Sequence, residues 1–159
     1  MKISMLSAVA VVLMAHAVPA QAQTGDLKIR FEYGGNAPER APVRVTADAA
    51  FCGKHNLLDE SLIVNPETKG IQNVVVAVYT GRGGAKLGNI PPANNTISLA
   101  NQNCRFEPRV VIAQAGDTLK ITNPDAVGHN ANLQFFNNTS VNPLIPPGAE
   151  IEVELKESE

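Results

Sequence analysis

Aromatic side chains are scarce in this sequence, and tryptophan is absent. Phe, Tyr and Trp together make up 4% of the 159 residues. Exposed aromatic rings are the usual stacking platforms for sugars, so this composition offers little material for a carbohydrate-binding surface. A buried core must therefore be built mainly from Val, Ile and Leu.

Positive charge is also limited. The chain has 13 Lys and Arg against 15 Asp and Glu, which gives a formal net charge of −2. Nucleic-acid-binding proteins usually carry clustered basic side chains that contact phosphates. No such cluster is found along this sequence, and we expect no nucleic-acid partner.

A long apolar run is found only at the N-terminus. Lys2 precedes an apolar stretch from Ile3 to Val18, and Ala20-Gln21-Ala22 has the small-x-small form of a cleavage site. We therefore expect residues 1–22 to be a secretory signal peptide and residues 23–159 to form a single domain. No later run is long and apolar enough to span a membrane. The short leader, with its one lysine, is typical of bacterial export, so we expect the periplasm or the cell exterior.

The sequence has only two cysteines, Cys52 and Cys104. In an oxidising compartment two cysteines most often form a disulfide, and closing a loop of roughly 50 residues stabilises a fold by about 4 kcal/mol in the loop-entropy model. The alternative is a zinc site, because Cys52 and His55 have a Cys-x-x-His spacing and could be joined by Cys104 and His129. We favour the disulfide, since zinc-binding pairs are usually separated by shorter and more regular linkers.

The motifs of common catalytic sites are missing from the sequence. It contains no G-x-S-x-G nucleophile motif, and "GRGGAKLG" lacks the Lys-Ser/Thr ending of a phosphate-binding loop. The acidic pair Asp59-Glu60 has no nucleophile beside it, and we interpret it as a solvated turn. Arg109 is likewise interpreted as a solvated charge. We therefore do not expect an enzyme.

Apolar and polar residues alternate with a period of two through much of the chain. This pattern predicts half-buried strands at 27–33 and 149–157, and a run of β-branched residues predicts a strand buried on both faces at 71–80. Further short strands are expected at 61–64, 96–99, 109–114, 118–122 and 131–136, with a turn at 115–117 and at most one helical turn near 47–58. Seven or eight short strands at regular spacing predict an all-β fold, an antiparallel sandwich or barrel.

A single histidine, His129, follows one of these predicted strands in the stretch "NPDAVGHNANLQFF". Taken alone, His129 is readily explained as a polar loop residue. A rigid sandwich can also present an imidazole to a metal ion from such a turn, with its neighbours fixing the orientation of the ring. The surrounding sequence, "AGDTLKITNPDAVGHN", favours the metal ligand.

That strand and loop are similar to the segment that carries the first copper ligand in cupredoxins, the plastocyanin-like small blue copper proteins. More narrowly, the chain resembles bacterial periplasmic cupredoxin-like proteins of the methylamine utilization type. The matching pieces are "FCGKHNLLDESLIV", "GIQNVVVAVYTG", "NCRFEPRVVIAQAGDTLKITNPDAVGHNAN" and "NPLIPPGAEIEVEL". The resemblance implies a Greek-key β-sandwich, copper as the cofactor, electron transfer as the function and a periplasmic redox protein as the partner.

The family holds its copper with two imidazoles, one thiolate and a weak axial thioether. The last three come from a C-x-x-H-x-x-M block after the final strands. Only His129 carries over, because no Cys, His or Met follows it in the sequence. We therefore expect an incomplete copper site with no stably bound copper, in a domain whose C-terminal part is missing. A fragment, a shortened gene product or a relative that has lost the metal would each fit.

A second hypothesis is an exported β-sandwich that binds a carbohydrate or a protein without any metal. Its aromatic platforms would have to come from Tyr79, Phe135 and Phe136, and we expect these three side chains to lie in the core. The lack of tryptophan makes this hypothesis the weaker of the two.

Overall fold

A computed structural model describes residues 26–88, 90–92 and 94–159. The predicted signal peptide lies outside the described residues. The described residues are rich in β-structure, with 24% of them in strands or isolated bridges and 5% in helix. Among the described residues, no helix has both the length and the apolar character needed to cross a membrane.

The regular elements are short. They are α1 (Ala49–Cys52), a 3-10 turn (Gly53–His55), β1 (Thr96–Gln102), β2 (Arg105–Glu107), β3 (Thr118–Thr122), β4 (His129–Asn130), β5 (Leu144–Ile145) and β6 (Glu150–Glu154). The helical segment lies where the sequence predicts one turn of helix. The described residues contain six strands, fewer than the seven or eight expected.

Four of the strands form one mixed sheet in the order β2-β1-β3-β6. β1 pairs with β2 and β3 pairs with β6 in the antiparallel sense, but β1 and β3 run parallel. The expectation of wholly antiparallel pairing is therefore wrong for this sheet. The chain between β1 and β3 is long enough for the crossover that a parallel pair requires, because it includes β2 and the segment up to Asp117.

The core lies on one face of this sheet. Pairing places Leu99 of β1 opposite Ile121 of β3, and Ile121 opposite Ile151 of β6. Ile121 is completely buried, as expected for the central strand. Ile145 of β5 and Ala131, which directly follows β4, are also completely buried and pack into the same cluster. The small sheet thereby covers the apolar face of the large one.

The turn before β3 was expected from the sequence and is present. Gly116 has φ +99°, a left-handed conformation that suits glycine. The buried carboxylate of Asp117 accepts hydrogen bonds from the backbone N–H groups of Asn95 and Gln114. These bonds fix the start of β3 relative to β1.

Five of the eight predicted strands are not formed as regular elements in the described residues. The segments 27–33 and 71–80 contain only isolated bridges, Glu32 with Gly70 and Val64 with Ile71, and Val75 is 62% exposed instead of buried. Alternation indicates which side chains share a face but not which strand is the partner, and a segment without a partner forms no ladder. The strands expected at 61–64, 109–114 and 131–136 are likewise absent as regular elements.

Candidate functional site

The loop that follows β3 is held in place by Asn123, whose side chain is fully buried. Its Nδ2 donates to the carbonyl oxygens of Val127 and Ile145, both at 2.8 Å. Its Oδ1 accepts a hydrogen bond of 3.1 Å from the backbone N–H of Asp125. One amide side chain therefore joins the two ends of the loop to each other through Asp125 and Val127 and attaches the loop to β5 through Ile145.

Asp125 is the centre of the candidate site. Its side chain is 5% exposed, and its carboxylate accepts hydrogen bonds of 2.8 Å from the backbone N–H groups of Asn103 and Cys104. Oδ2 of Asp125, the oxygen that accepts from Cys104, also lies 2.8 Å from Nε2 of His129. Asp125 thus joins the turn between β1 and β2 to the histidine at the start of β4.

These contacts determine the charge of Asp125. Burial raises the pKa of its carboxyl, but the hydrogen bonds from Cys104, Asn103 and His129 outweigh burial and lower the pKa below the ordinary 3.8. At neutral pH the group is a carboxylate, which can only accept hydrogen bonds. His129 Nε2 must therefore be the donor, and in the neutral form of the imidazole the free electron pair lies on Nδ1. No hydrogen-bond partner of Nδ1 is found in the described part of the chain.

The two cysteines form a disulfide, as expected from the sequence. Cys52 at the end of α1 is bonded to Cys104 in the turn between β1 and β2, with a sequence separation of 52 residues. The zinc alternative, with ligands from Cys52, His55, Cys104 and His129, is not formed, because both sulfurs are used in this bond. His55 instead packs its ring edge-on against Phe51, with 5.0 Å between the ring centroids.

Three groups of metal-ligating chemistry meet beside the disulfide. A sulfur of Cys104, a carboxylate oxygen of Asp125 and a ring nitrogen of His129 all lie within 4.8 Å of one another. The Asp125 and His129 side chains are both largely buried. The sulfur is held in the disulfide, so the oxidised chain offers one imidazole and one carboxylate at this place.

The acidic pair Asp59-Glu60 differs from the solvated turn that the sequence indicated. Asp59 does form an exposed turn with Ser61, but the Glu60 side chain is only 14% exposed. Glu60 accepts hydrogen bonds from Arg105 at 2.7 Å and from Arg109 at 3.2 Å. Arg109 keeps a side chain that is 47% exposed, as expected for a solvated charge, and it also takes part in the ion-pair cluster around Glu60. Arg105 connects this cluster to β2.

The sequence predicted the disulfide, which is formed, and singled out His129 as a ligand position, which stays a prediction. It indicated no role for Asn123 or Asp125. A local signal for them exists, because Asn and Asp two residues apart favour side-chain-to-backbone hydrogen bonds in a turn. The contacts of Asp125 with Asn103 and Cys104 span 22 and 21 residues. Only the fold brings those groups together.

Comparison with protein-family models, with curated proteins and with solved structures found no match to this chain.

Proposed function

We propose that this chain is an exported cupredoxin-like protein in which His129 is a metal-ligand position. The observation that carries the proposal is the pairing of His129 with Asp125. A histidine that ligates a metal through one nitrogen usually donates its other N–H to a carboxylate or carbonyl, which fixes the tautomer and the ring. Asp125 does this at Nε2, so Nδ1 is left for a metal.

Copper fits this site only in part. One oriented imidazole suits copper, but a blue copper centre also needs a thiolate, and the sulfur nearest to His129 is held in the disulfide. The sequence supplies no Cys, His or Met after His129. The described residues therefore do not make up a blue copper site, and no electron-transfer step follows from them.

The Greek-key sandwich belongs to the same proposal. Its support is the layered arrangement of the core, in which the β4-β5 sheet covers the apolar face of the four-stranded sheet. Export to the periplasm or the cell exterior is supported by the leader pattern and by the disulfide. No reaction on a substrate is proposed, and the partner would be a periplasmic redox protein.

The place where a paramagnetic Cu²⁺ ion binds the chain, located by NMR line broadening, tests the proposal. Cu²⁺ added in small amounts to the oxidised, isotope-labelled chain should first broaden the amide NMR signals of β4 and β5, and H129Q should remove that broadening. H55Q is the matched control, because His55 lies in the 3-10 turn after Cys52 and packs on Phe51, outside the Asp125–His129 pair, and it should leave the broadening unchanged. Broadening that survives in H129Q would refute His129 as the ligand position.

A second candidate function, carbohydrate binding, is favoured by one observation. Tyr79 is 68% exposed and Phe136 is 95% exposed, so the expectation that they lie in the core is wrong for these two rings, whereas Phe135 is half-buried. Exposed rings of this kind can stack on sugars. The test is retention of the chain on an insoluble polysaccharide. Retention that is lost in both Y79A and F136A, but kept in H129Q, would support carbohydrate binding over metal binding.

A further inference from the structure

We propose that reduction of the Cys52–Cys104 disulfide creates a Zn²⁺ site from Cys104, Asp125 and His129. The cupredoxin pattern gives Cys104 and Asp125 no role as ligands. The inference therefore goes beyond the proposed function and does not depend on it. It rests on the distances and the chemistry of the three side chains.

The geometry needs little adjustment. The three ligand atoms lie within 4.8 Å of one another, whereas a tetrahedral Zn²⁺ with ordinary bond lengths places its ligand atoms about 3.3–3.8 Å apart. Oδ2 of Asp125 and Nε2 of His129 are now 2.8 Å apart across a hydrogen bond. When Zn²⁺ binds between them, the His129 proton moves from Nε2 to Nδ1, and the metal takes the place that this proton held. The Asp125–His129 pair then opens slightly and the sulfur moves inward.

The chemistry of the ligands selects the metal. One thiolate, one imidazole and one carboxylate form a mixed set that suits Zn²⁺, a borderline-soft ion without a redox change of its own. The fourth position is open to the Cys52 sulfur, which is bonded to Cys104 in the oxidised chain and so starts beside the site. The surrounding backbone is already anchored, because Asp125 is hydrogen-bonded to the N–H groups of Asn103 and Cys104.

The redox step is a thiol–disulfide exchange with a dithiol. One thiolate of the dithiol attacks a disulfide sulfur, and its second thiol resolves the mixed disulfide. The dithiol becomes a disulfide, and the electron pair with two protons goes to Cys52 and Cys104. Zn²⁺ then binds as the thiol proton of Cys104 leaves to solvent, since the thiolate is the ligand. In the oxidised chain no thiolate exists, so the disulfide keeps the site closed.

The test uses C52S, which frees the Cys104 thiol without any reductant. Under anaerobic conditions Co²⁺ alone should give C52S a thiolate-to-cobalt charge-transfer band, which Zn²⁺ displaces, and oxidised wild type should give none. The matched variants C52S/C104S and C52S/H129Q should bind Zn²⁺ more than about 100-fold more weakly than C52S. Loss of a residue that only orients a ligand weakens metal binding about 10- to 100-fold, and each of these variants loses a ligand itself. A folded C52S without the band would overturn the proposal.

Thermal unfolding distinguishes the folded site from metal binding by an unfolded chain. Zn²⁺ that binds only the native state raises the unfolding temperature, so Zn²⁺ should raise the unfolding temperature of C52S and leave that of C52S/H129Q unchanged. If C52S does not fold, wild type reduced with a phosphine is measured in the same way. If C52S and the reduced wild type are both unfolded, the proposal is contradicted, because the site requires the loop around Asp125 to be intact.

Discussion

At the scale of single residues, the site depends on a carboxylate that sequence reasoning left without a role. Asp125 accepts hydrogen bonds from Asn103, Cys104 and His129 while almost completely buried. A buried carboxylate is tolerated only with such compensation. The orientation of His129 and the position of the disulfide therefore depend on one side chain.

Replacement of Asp125 by Ala should lower the free energy of unfolding by about 2–4 kcal/mol, because it leaves several buried donors without an acceptor. D26A, at an exposed site, should change it by less than about 0.5 kcal/mol. Chemical denaturation at neutral pH measures the free energy of unfolding of both variants.

The stabilisation by Asp125 should depend on pH. The pKa of Asp125 is lowered, so its stabilisation is present above the unfolded value of 3.8 and is lost as the pH falls through the native pKa. A cost for D125A that persists unchanged in strong acid would contradict this account.

Glu159 offers a second residue-scale prediction. The backbone N–H groups of Phe136 and Asn138, followed by the Asn138 side chain and the Asn137 N–H, lower the pKa of its carboxyl from 4.5 to about 2. The carboxyl carbon NMR signal should therefore titrate with a midpoint of about 2. The contact is fully stabilising above 4.5 and is lost as the pH falls through about 2. N138A removes one donor and should raise the midpoint, whereas a midpoint near 4.5 in wild type would show that the contact does not form.

At the scale of the elements, the strands that could be predicted are those in which local alternation coincides with a partner strand in the fold. Alternation in Thr118–Thr122 and Glu150–Glu154 predicted β3 and β6, which pair with each other. The segment 71–80 has stronger β propensity, but within the described part of the chain it makes only an isolated bridge from Ile71 to Val64. The sequence could not show this, because pairing depends on distant chain segments whereas propensity is local.

The central position of β3 leads to a direct prediction. Replacement of Ile121, which is completely buried, by Ala should lower the free energy of unfolding by about 2–5 kcal/mol through lost burial and a cavity. I112A removes the same atoms from a side chain that is 81% exposed and should cost less than about 1 kcal/mol. Equal losses in the two variants, measured by chemical denaturation, would show that β3 is not the centre of the core.

At the scale of the whole molecule, the disulfide connects the N-terminal half of the described chain to the sheet. It joins α1 to the turn between β1 and β2, and the Glu60 cluster with Arg105 and Arg109 is a second connection between the same regions. Many apolar side chains remain exposed in the N-terminal half, including Val75 and Tyr79. That half therefore relies on covalent and ionic connections more than on a core of its own.

Loss of the disulfide should be costly for this reason. C52A/C104A should lower the free energy of unfolding by about 4 kcal/mol, the loop-entropy value for a loop of about 50 residues. Denaturation of the oxidised wild type and of the variant in the same buffer measures the difference. A difference below about 1 kcal/mol would mean that the two regions are held together without the bond.

The central claim is that His129 is the metal-ligand position contributed by this chain. Titration of the oxidised protein with Cu²⁺, followed by optical absorption and electron paramagnetic resonance, tests it most directly. The account predicts weak binding with nitrogen coupling from one imidazole, abolished in H129Q and retained in H55Q. It also predicts no intense blue charge-transfer band, since both sulfurs are in the disulfide. An intense blue band, or a copper signal that H129Q leaves unchanged, would contradict the account.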